Sequence, residues 1–410
     1  MERVGSDQLQ DFKLQLLKNL LLNAYDQVSL YRNLWQNAGI SPEAIKDFSD
    51  LKKLPVMTKK MFVDAGDNCL NKSYPARSLI VGRSSGSTGH PFVYRKDPRH
   101  HSWFIAGAMH SWITAGWKVG ESWVRVQYRG ELSLRAKLED KVFNCTYLPI
   151  DELSPTVMAQ FSRKLEKTAP SLIRGYAGAM YVFASYLLAE NKYAIRPKAV
   201  VTTGDTLYPH YREAIEKAFG CRVYDAYGGE GIPIANMYHD GAYYALPITH
   251  VELEPLADTK LAKVIITSLT NAAMPFIRYD IGDMAEIDDF SSPAMLAWTR
   301  ISKISGRDTD IVITPNKRHL VCHHFNNIMR NYAGVNQFQI LQKEVQSIEI
   351  SLVENQSGAM NADKAQLHQQ LTELTGGEMD IRIKIVEEIP VPKSGKRRYI
   401  VSEINKLAGF

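Results

Sequence analysis

KAVVTTGDTLYPHYREAIEKAFGCRVYDAY, residues 198–227, decides the fold class. Lys198–Thr203 is an apolar, β-branched run ending at Gly204, which reads as a strand. Pro209–Phe219 reads as a helix, with Gly220 placed to cap its C-terminus. Cys221–Tyr227 is then a second strand. The same β–α–β rhythm runs from about residue 76 to about 290, and it predicts an α/β fold with a largely parallel sheet flanked by helices. In such sheets ligands gather beyond the carboxyl ends of strands. Gly204-Asp205 and Tyr227-Gly228 both fall at such ends, so the pattern expects them near each other.

Upstream, residues 83–92 read RSSGSTGHPF. Gly86 and Gly89 lack Cβ and can adopt positive φ, so the backbone can curl around an oxyanion. Ser84, Ser85, Ser87 and Thr88 add hydroxyl donors, and successive backbone N–H groups can form an anion-binding nest. The stretch suits the phosphates of a nucleotide, but no Gly-Lys-Ser/Thr closes it as in a Walker loop. On composition alone a flexible surface turn is the commoner reading.

At 410 residues the chain exceeds the usual single-domain size. Its 45% hydrophobic and 23% charged residues are those of an ordinary globular protein. A net charge of +5, without basic stripes interleaved with aromatics, excludes nucleic acid as an expected partner. Cys69, Cys145, Cys221 and Cys322 are scattered, which argues against a disulfide framework and for reduced thiols in a cytoplasmic protein. The opening MERVGSDQLQDF lacks the apolar region of a secretory signal. No run reaches the roughly 20 apolar residues of a membrane span.

Residues 6–27 carry apolar positions at helical spacing (Leu9, Phe12, Leu16, Leu17, Leu20, Tyr25), predicting an amphipathic helix packed on the body. Near Gly306–Asp310 the character changes. Beyond it come strand-like runs at Phe338–Gln342 and Ser347–Val353, a helix near 362–374 and a strand at Ile381–Ile389. The expectation is a large domain over 1–307 and a small α+β domain over 308–410.

Several further motifs follow in order: Leu51–Lys60 (LKKLPVMTKK), the loop at 84–89, Thr203–Leu207 (TGDTL), Tyr224–Gly231 (YDAYGGEG), Ile277–Asp283 (IRYDIGD), Ser305–Asp310 (SGRDTD) and Pro392–Lys396 (PKSGK). Together they resemble the adenylate-forming (acyl/aryl-CoA synthetase) superfamily, and within it the phenylacetate–CoA ligase-like and CapK-like branch. The resemblance implies ATP-dependent activation of a carboxylic acid as acyl-AMP, with loss of pyrophosphate, followed by acyl transfer. Coenzyme A is the default acceptor. An amine acceptor in polysaccharide or natural-product biosynthesis, an adenylyltransferase and a non-catalytic nucleotide-binding relative are the alternatives.

Under that resemblance Ser84–Gly89 hold the β- and γ-phosphates. His90 stands where most family loops carry Lys, which makes phosphate affinity pH-sensitive unless His90 merely packs beside Pro91. Tyr227 stacks on adenine, Gly204, Asp205 and Thr206 lie along the opposite edge, and Asp225, Ala226 and Gly228 complete the nucleotide site. A half-buried strand tyrosine is the plain alternative for Tyr227. Glu230 is the Mg²⁺ ligand, a hard oxygen donor, although the spacing from Tyr227 is one residue short of the family pattern; a solvated loop glutamate is the alternative. Asp283 accepts hydrogen bonds from the ribose hydroxyls and Arg307 reaches ribose or phosphate as a guanidinium fork; each has a turn-residue or surface reading beside it. Lys396, from the small domain, serves the α-phosphate and the carboxylate oxygen, unless Lys393, Lys396, Arg397 and Arg398 are simply a solvated basic turn.

The small domain swings about Asp308, Thr309 or Asp310, with Thr309 at the usual pivot acid. Arg174, Gly175 and Tyr176, together with Trp103–Trp112, are the acyl-pocket candidates; Arg174 or His110 could pair with a second charge on the substrate, and both could be structural. Ala235–His239 carries no cysteine where some relatives bind zinc, so no structural zinc is expected. A homodimer is allowed.

Overall fold

The computed structural model of the chain describes residues 5–83, 92–127, 134–149, 153–255, 261–286, 298–305, 312–320, 322–329, 331–332, 334–354, 360–389 and 399–404. The described residues group into two compact units. One comprises 5–83, 92–111 and 226–305; the other comprises 112–225 and 312–404.

The first unit begins with the helix Ser6–Gln27, which turns Leu9, Leu17, Leu20, Leu21 and Ala24 inward. These positions recur every three or four residues, as the sequence requires. Next comes the helix Ser29–Asn37, whose Tyr31 hydroxyl donates to Pro275 O (2.8 Å) and accepts from Ile277 N (3.1 Å). Burial pushes the Tyr31 phenol up, so it remains a donor at any physiological pH. Around Tyr31 the rings of Trp35, Phe62, Phe92, Phe276 and Tyr279 pack at centroid separations of 5.0–6.5 Å, within the range of favourable aromatic pairs. This core closes on an antiparallel sheet ordered Thr249–Pro255, Leu261–Ser268, Tyr279–Glu286, Lys303–Ser305. A separate hairpin pairs Ile80–Arg83 with Val93–Lys96.

In the second unit, Cys145–Pro149, Trp123–Gln127, Leu172–Tyr176 and Ala199–Thr203 pair in parallel in that order. Parallel neighbours need crossovers, and the helices Pro155–Thr168, Ala177–Ala189 and Pro209–Phe219 supply them. Their apolar faces pack on Val124, Val126, Ile173, Val200 and Val223. The β–α–β reading of 198–227 is met: strand Ala199–Thr203, helix Pro209–Phe219, Gly220 at φ 62° closing it with a 2.8 Å bond to Glu216 O, then strand Arg222–Gly229. Among the described residues, the strands of this stretch between 123 and 203 pair in parallel. From Arg222 to Glu286 the pairing turns antiparallel: Arg222–Gly229 with Ile232–Met237, Ile232–Met237 with Tyr243–Ala245, and Thr249–Pro255, Leu261–Ser268 and Tyr279–Glu286 in sequence.

The stretch from 312 has a core of its own, built on Phe325, Val335, Ile340, Ile350, Leu367 and Ile400. Its sheet runs Asp380–Ile385, Ser347–Glu354, Val335–Glu344, Ile400–Ser402, with the central pair antiparallel and both outer pairs parallel. The helix expected near 362–374 is Met360–Thr375, and the strand expected to end at Ile389 stops at Ile385.

Candidate functional site

Tyr227 lies on the strand Arg222–Gly229 and donates its hydroxyl to Asp283 Oδ2 at 2.9 Å. The bond joins two of the motifs read from the sequence, 56 residues apart. Asp283 is set by a bend: Gly282 has φ 81°, and its N–H donates to Asp280 Oδ1 (2.9 Å). Its strand is anchored in turn by the entry motif. Met57 N donates to Arg278 O (2.8 Å) and Asp280 N to Met57 O (2.9 Å). The Arg278 guanidinium donates to Leu54 O (2.5 Å) and to both Glu252 carboxylate oxygens (3.0 and 3.1 Å). Leu51–Lys60 and Ile277–Asp283 are therefore one bonded assembly.

After Gly229 the chain reverses in two residues. Gly229 pairs with Ile232, so Glu230 and Gly231 are the central pair of a hairpin turn, at φ 51° and 72°. Two successive positive φ values define a turn that favours Asn or Gly. Glutamate there costs on the order of 1 kcal/mol. The one-residue shortening noted in the sequence is this tight turn. A Cβ on Gly231 would come within 2.4 Å of the Tyr94 ring and 3.0 Å of Lys96 Cδ. The hairpin that brackets residues 84–91 thus packs directly on the Glu230 turn. Burial, with the charge of Glu230 second, pushes the Tyr94 phenol up to about 12, so Tyr94 stays a neutral donor beside the carboxylate. His100 closes the other side: its Nε2 meets Gly231 O at 3.2 Å and Nδ1 meets the Thr270 hydroxyl at 2.8 Å. A carbonyl only accepts, so the proton sits on Nε2. Burial lowers the His100 pKa to about 4, leaving it neutral.

In the second unit Gly204 follows its strand at φ 81°, which orients Asp205. Asp205 Oδ2 accepts from Gly178 N (3.2 Å) in the first turn of the helix Ala177–Ala189, where a carboxylate is favoured by the helix dipole. Asp225 is buried, and its Oδ1 accepts from the Thr202 hydroxyl at 2.6 Å. Arg174 donates to Gln127 Oε1 (3.1 Å). A Cβ on Gly175 would meet Met180 and Val126 O at 2.9 Å, so that position admits only glycine. Tyr176 immediately precedes the helix Ala177–Ala189.

Ala226, Tyr227, Gly228, Glu230 and Asp283 thus belong to the first unit, and Arg174, Gly175, Tyr176, Gly204, Asp205, Thr206 and Asp225 to the second. Ser84–Gly89, His90, Arg307, Asp308–Asp310 and Lys396 lie outside the described residues. His110 is held at both ring nitrogens, by Asn236 (3.2 Å) and the Tyr238 hydroxyl (3.3 Å), against Trp298. Sequence reading passed over Tyr94, Lys96, His100 and Arg125. The only available signal for Arg125 was its alternation in Trp123–Gln127 (WVRVQ).

Among the described residues no group of three or more His, Cys, Asp or Glu side chains could hold a metal ion, and no helix is long and apolar enough to cross a membrane. Glu230 as a single carboxylate fits Mg²⁺, which commonly takes one or two protein carboxylates and completes its shell with phosphate oxygens and water.

Residues 312–403 match the CapK C-terminal domain model. Protein CapK of Staphylococcus aureus is 24% identical over 367 residues, covering 87% of this chain and 81% of its own. The phenylacetate-coenzyme A ligases of Pseudomonas putida and Escherichia coli are 26% and 25% identical, covering 76% of this chain and 74% of theirs. Among solved structures, a 2-hydroxyisobutyryl-CoA ligase in complex with 2-HIB-AMP and CoA superposes with a TM-score of 0.66, 16% identity and coverage of 98% and 92%. That likeness establishes the fold, that of the acyl-CoA ligases. The homologues of this chain are CapK and the phenylacetate–coenzyme A ligases.

Proposed function

We propose that this chain is an ATP-dependent ligase that converts a carboxylic acid to its acyl-adenylate and then transfers the acyl group to coenzyme A. Its homology to phenylacetate–coenzyme A ligases supports the reaction class. The observation that carries the reading is the Tyr227–Asp283 bond, because it unites two motifs that have no structural need of each other in the sequence.

The chemistry asks little covalent work of the protein. A carboxylate oxygen attacks the α-phosphorus in line, and pyrophosphate leaves. The chain must hold two anions together and neutralise the developing charge. In this reading Ser84–Gly89 cradle the outer phosphates and Tyr227 faces adenine. Gly204, Asp205, Thr206, Asp225, Ala226 and Gly228 line the nucleotide. Asp283 and Arg307 take the ribose. Glu230 would hold Mg²⁺, whose charge eases departure of pyrophosphate when it is bound. Arg174, Gly175 and Tyr176 border the acid. Residues 1–307 form the large domain and 308–410 a lid that turns about Asp308–Asp310 and brings in Lys396.

ATP–pyrophosphate exchange across a panel of carboxylic acids tests the first step, and mass spectrometry of the product with coenzyme A or amines present tests the acceptor. Exchange should depend on the acid, and Lys396→Ala should lower it at least about 100-fold while ATP binding persists. The same variant should still transfer the acyl group from supplied acyl-adenylate. Silence with every acid, or product carrying AMP instead of an acyl group, would overturn the proposal.

A further inference from the structure

Arg125 and Arg174 stand directly opposite each other on neighbouring parallel strands, so their side chains leave the same face of the sheet. The other face is filled by Val124, Val126 and Ile173 against the helices. Like charges opposed across a strand pair repel, and both guanidinium groups are half-buried. Yet among the described residues neither has a carboxylate partner. Arg174 has only the neutral Gln127 amide oxygen at 3.1 Å. Arg125 lies 4.9 Å above the Trp123 ring, and its buried Nε makes no hydrogen bond. The support is prearranged: Tyr147, in register with Arg125, donates its hydroxyl to Gln127 O (2.8 Å), which fixes the residue that holds Arg174. Burial, with Arg125 second, lowers the Arg174 pKa to about 10; the group remains charged at neutral pH, in a place where only an anion would balance it.

We propose that Arg125 and Arg174 together bind a second anionic group, a carboxylate or phosphate at the end of the acid remote from the reacting carboxyl. The substrates are then acids carrying two negative groups. Two forks side by side suit the planar, multi-acceptor geometry of such a group. The inference rests on the reading that Arg174–Tyr176 border the acid, and it adds Arg125, which no motif marks.

The test uses α,ω-dicarboxylic acids of three to eight carbons, each beside its monomethyl ester, in ATP–pyrophosphate exchange. The best diacid should exceed its ester in kcat/KM by about 100-fold, because a site built for a charged group rejects the analogue lacking it. Arg125→Met and Arg174→Met should each cut that ratio at least tenfold through the KM for the acid, and Arg→Lys variants should fall between. Esters used as well as diacids would overturn the proposal. So would variants that raise the KM for ATP and leave that for the acid unchanged, since the anion would then be a nucleotide phosphate. If no acid supports exchange, the ligase reading fails and thermal denaturation decides the anion site alone. A diacid that raises the melting temperature of the wild type but not of Arg125→Met or Arg174→Met upholds the pair, and no shift in the wild type rejects it.

Discussion

Arg278 and Arg174 each bring a guanidinium group into the protein, and their surroundings differ in kind. Arg278 is buried with its charge met: Glu252 lies 3.0 Å away, and the carbonyl oxygens of Leu54 and Lys52 take further protons. Arg174 is half-buried beside a second arginine, and among the described residues it is offered one neutral side-chain oxygen. Removing a charge from water costs several kcal/mol, which is recovered only with good geometry and full hydrogen bonding. Arg278 meets that condition within the chain and so serves as a staple between the entry segment and the Tyr279–Glu286 strand. Among the described residues Arg174 does not, which is why the anion proposed above is assigned to it. The backbone agrees with the staple role, because Arg278 holds a φ of 48° that only firm anchoring at both ends would maintain.

Breaking the staple should have the largest effect. Arg278→Met leaves Glu252 buried without its partner and should cost about 3–5 kcal/mol in urea denaturation, with much of the loss recovered in Arg278→Met/Glu252→Met. A single variant as stable as wild type would remove the distinction between the two arginines. Next comes pH. His250, against Phe48, has its pKa lowered to about 3, first by burial and then by Lys13 and Arg278. Below the ordinary histidine pKa of 6.5 the unfolded chain takes up a proton that the folded chain refuses, so stability falls as pH drops from about 6.5 toward 3. By pH 5 the loss is on the order of 2 kcal/mol, and His250→Gln should flatten the slope of unfolding free energy between pH 7 and 5.

Strain sharpens the same contrast at a third position. Glu230→Asn places a residue tolerant of positive φ in the turn and should stabilise the protein by about 1 kcal/mol, while exchange activity falls. Equal activity would mean that the glutamate is held there for no chemical reason. The smallest effect belongs to the arginine pair. Arg125→Met relieves a like-charge contact and should leave stability unchanged or raised by up to about 1 kcal/mol, opposite in sign to Arg278→Met in the same melting experiment.

Local patterns carried much of the fold. Ser6–Gln27 was legible because its inward residues repeat at the helical period. Pro209–Phe219 was legible because Gly220 can take the left-handed conformation that closes it. Tyr227, Glu230 and Asp283 could be nominated from their motifs. Their surroundings could not be read from the sequence. Tyr94 and His100 reach the Glu230 turn from more than a hundred residues away, and Asp205 meets the start of a helix 27 residues before it. Nothing in the local pattern ranks one such long-range partner over another.

By itself, the sequence determined the alternation of strands and helices, the turns that demand glycine and the order of the motifs. These depend on propensities and periodicities that act over a few residues. Only tertiary structure decided that Arg278 is satisfied while Arg125 and Arg174 confront each other. Strand register sets that opposition, and register follows from how apolar faces pack across the whole sheet.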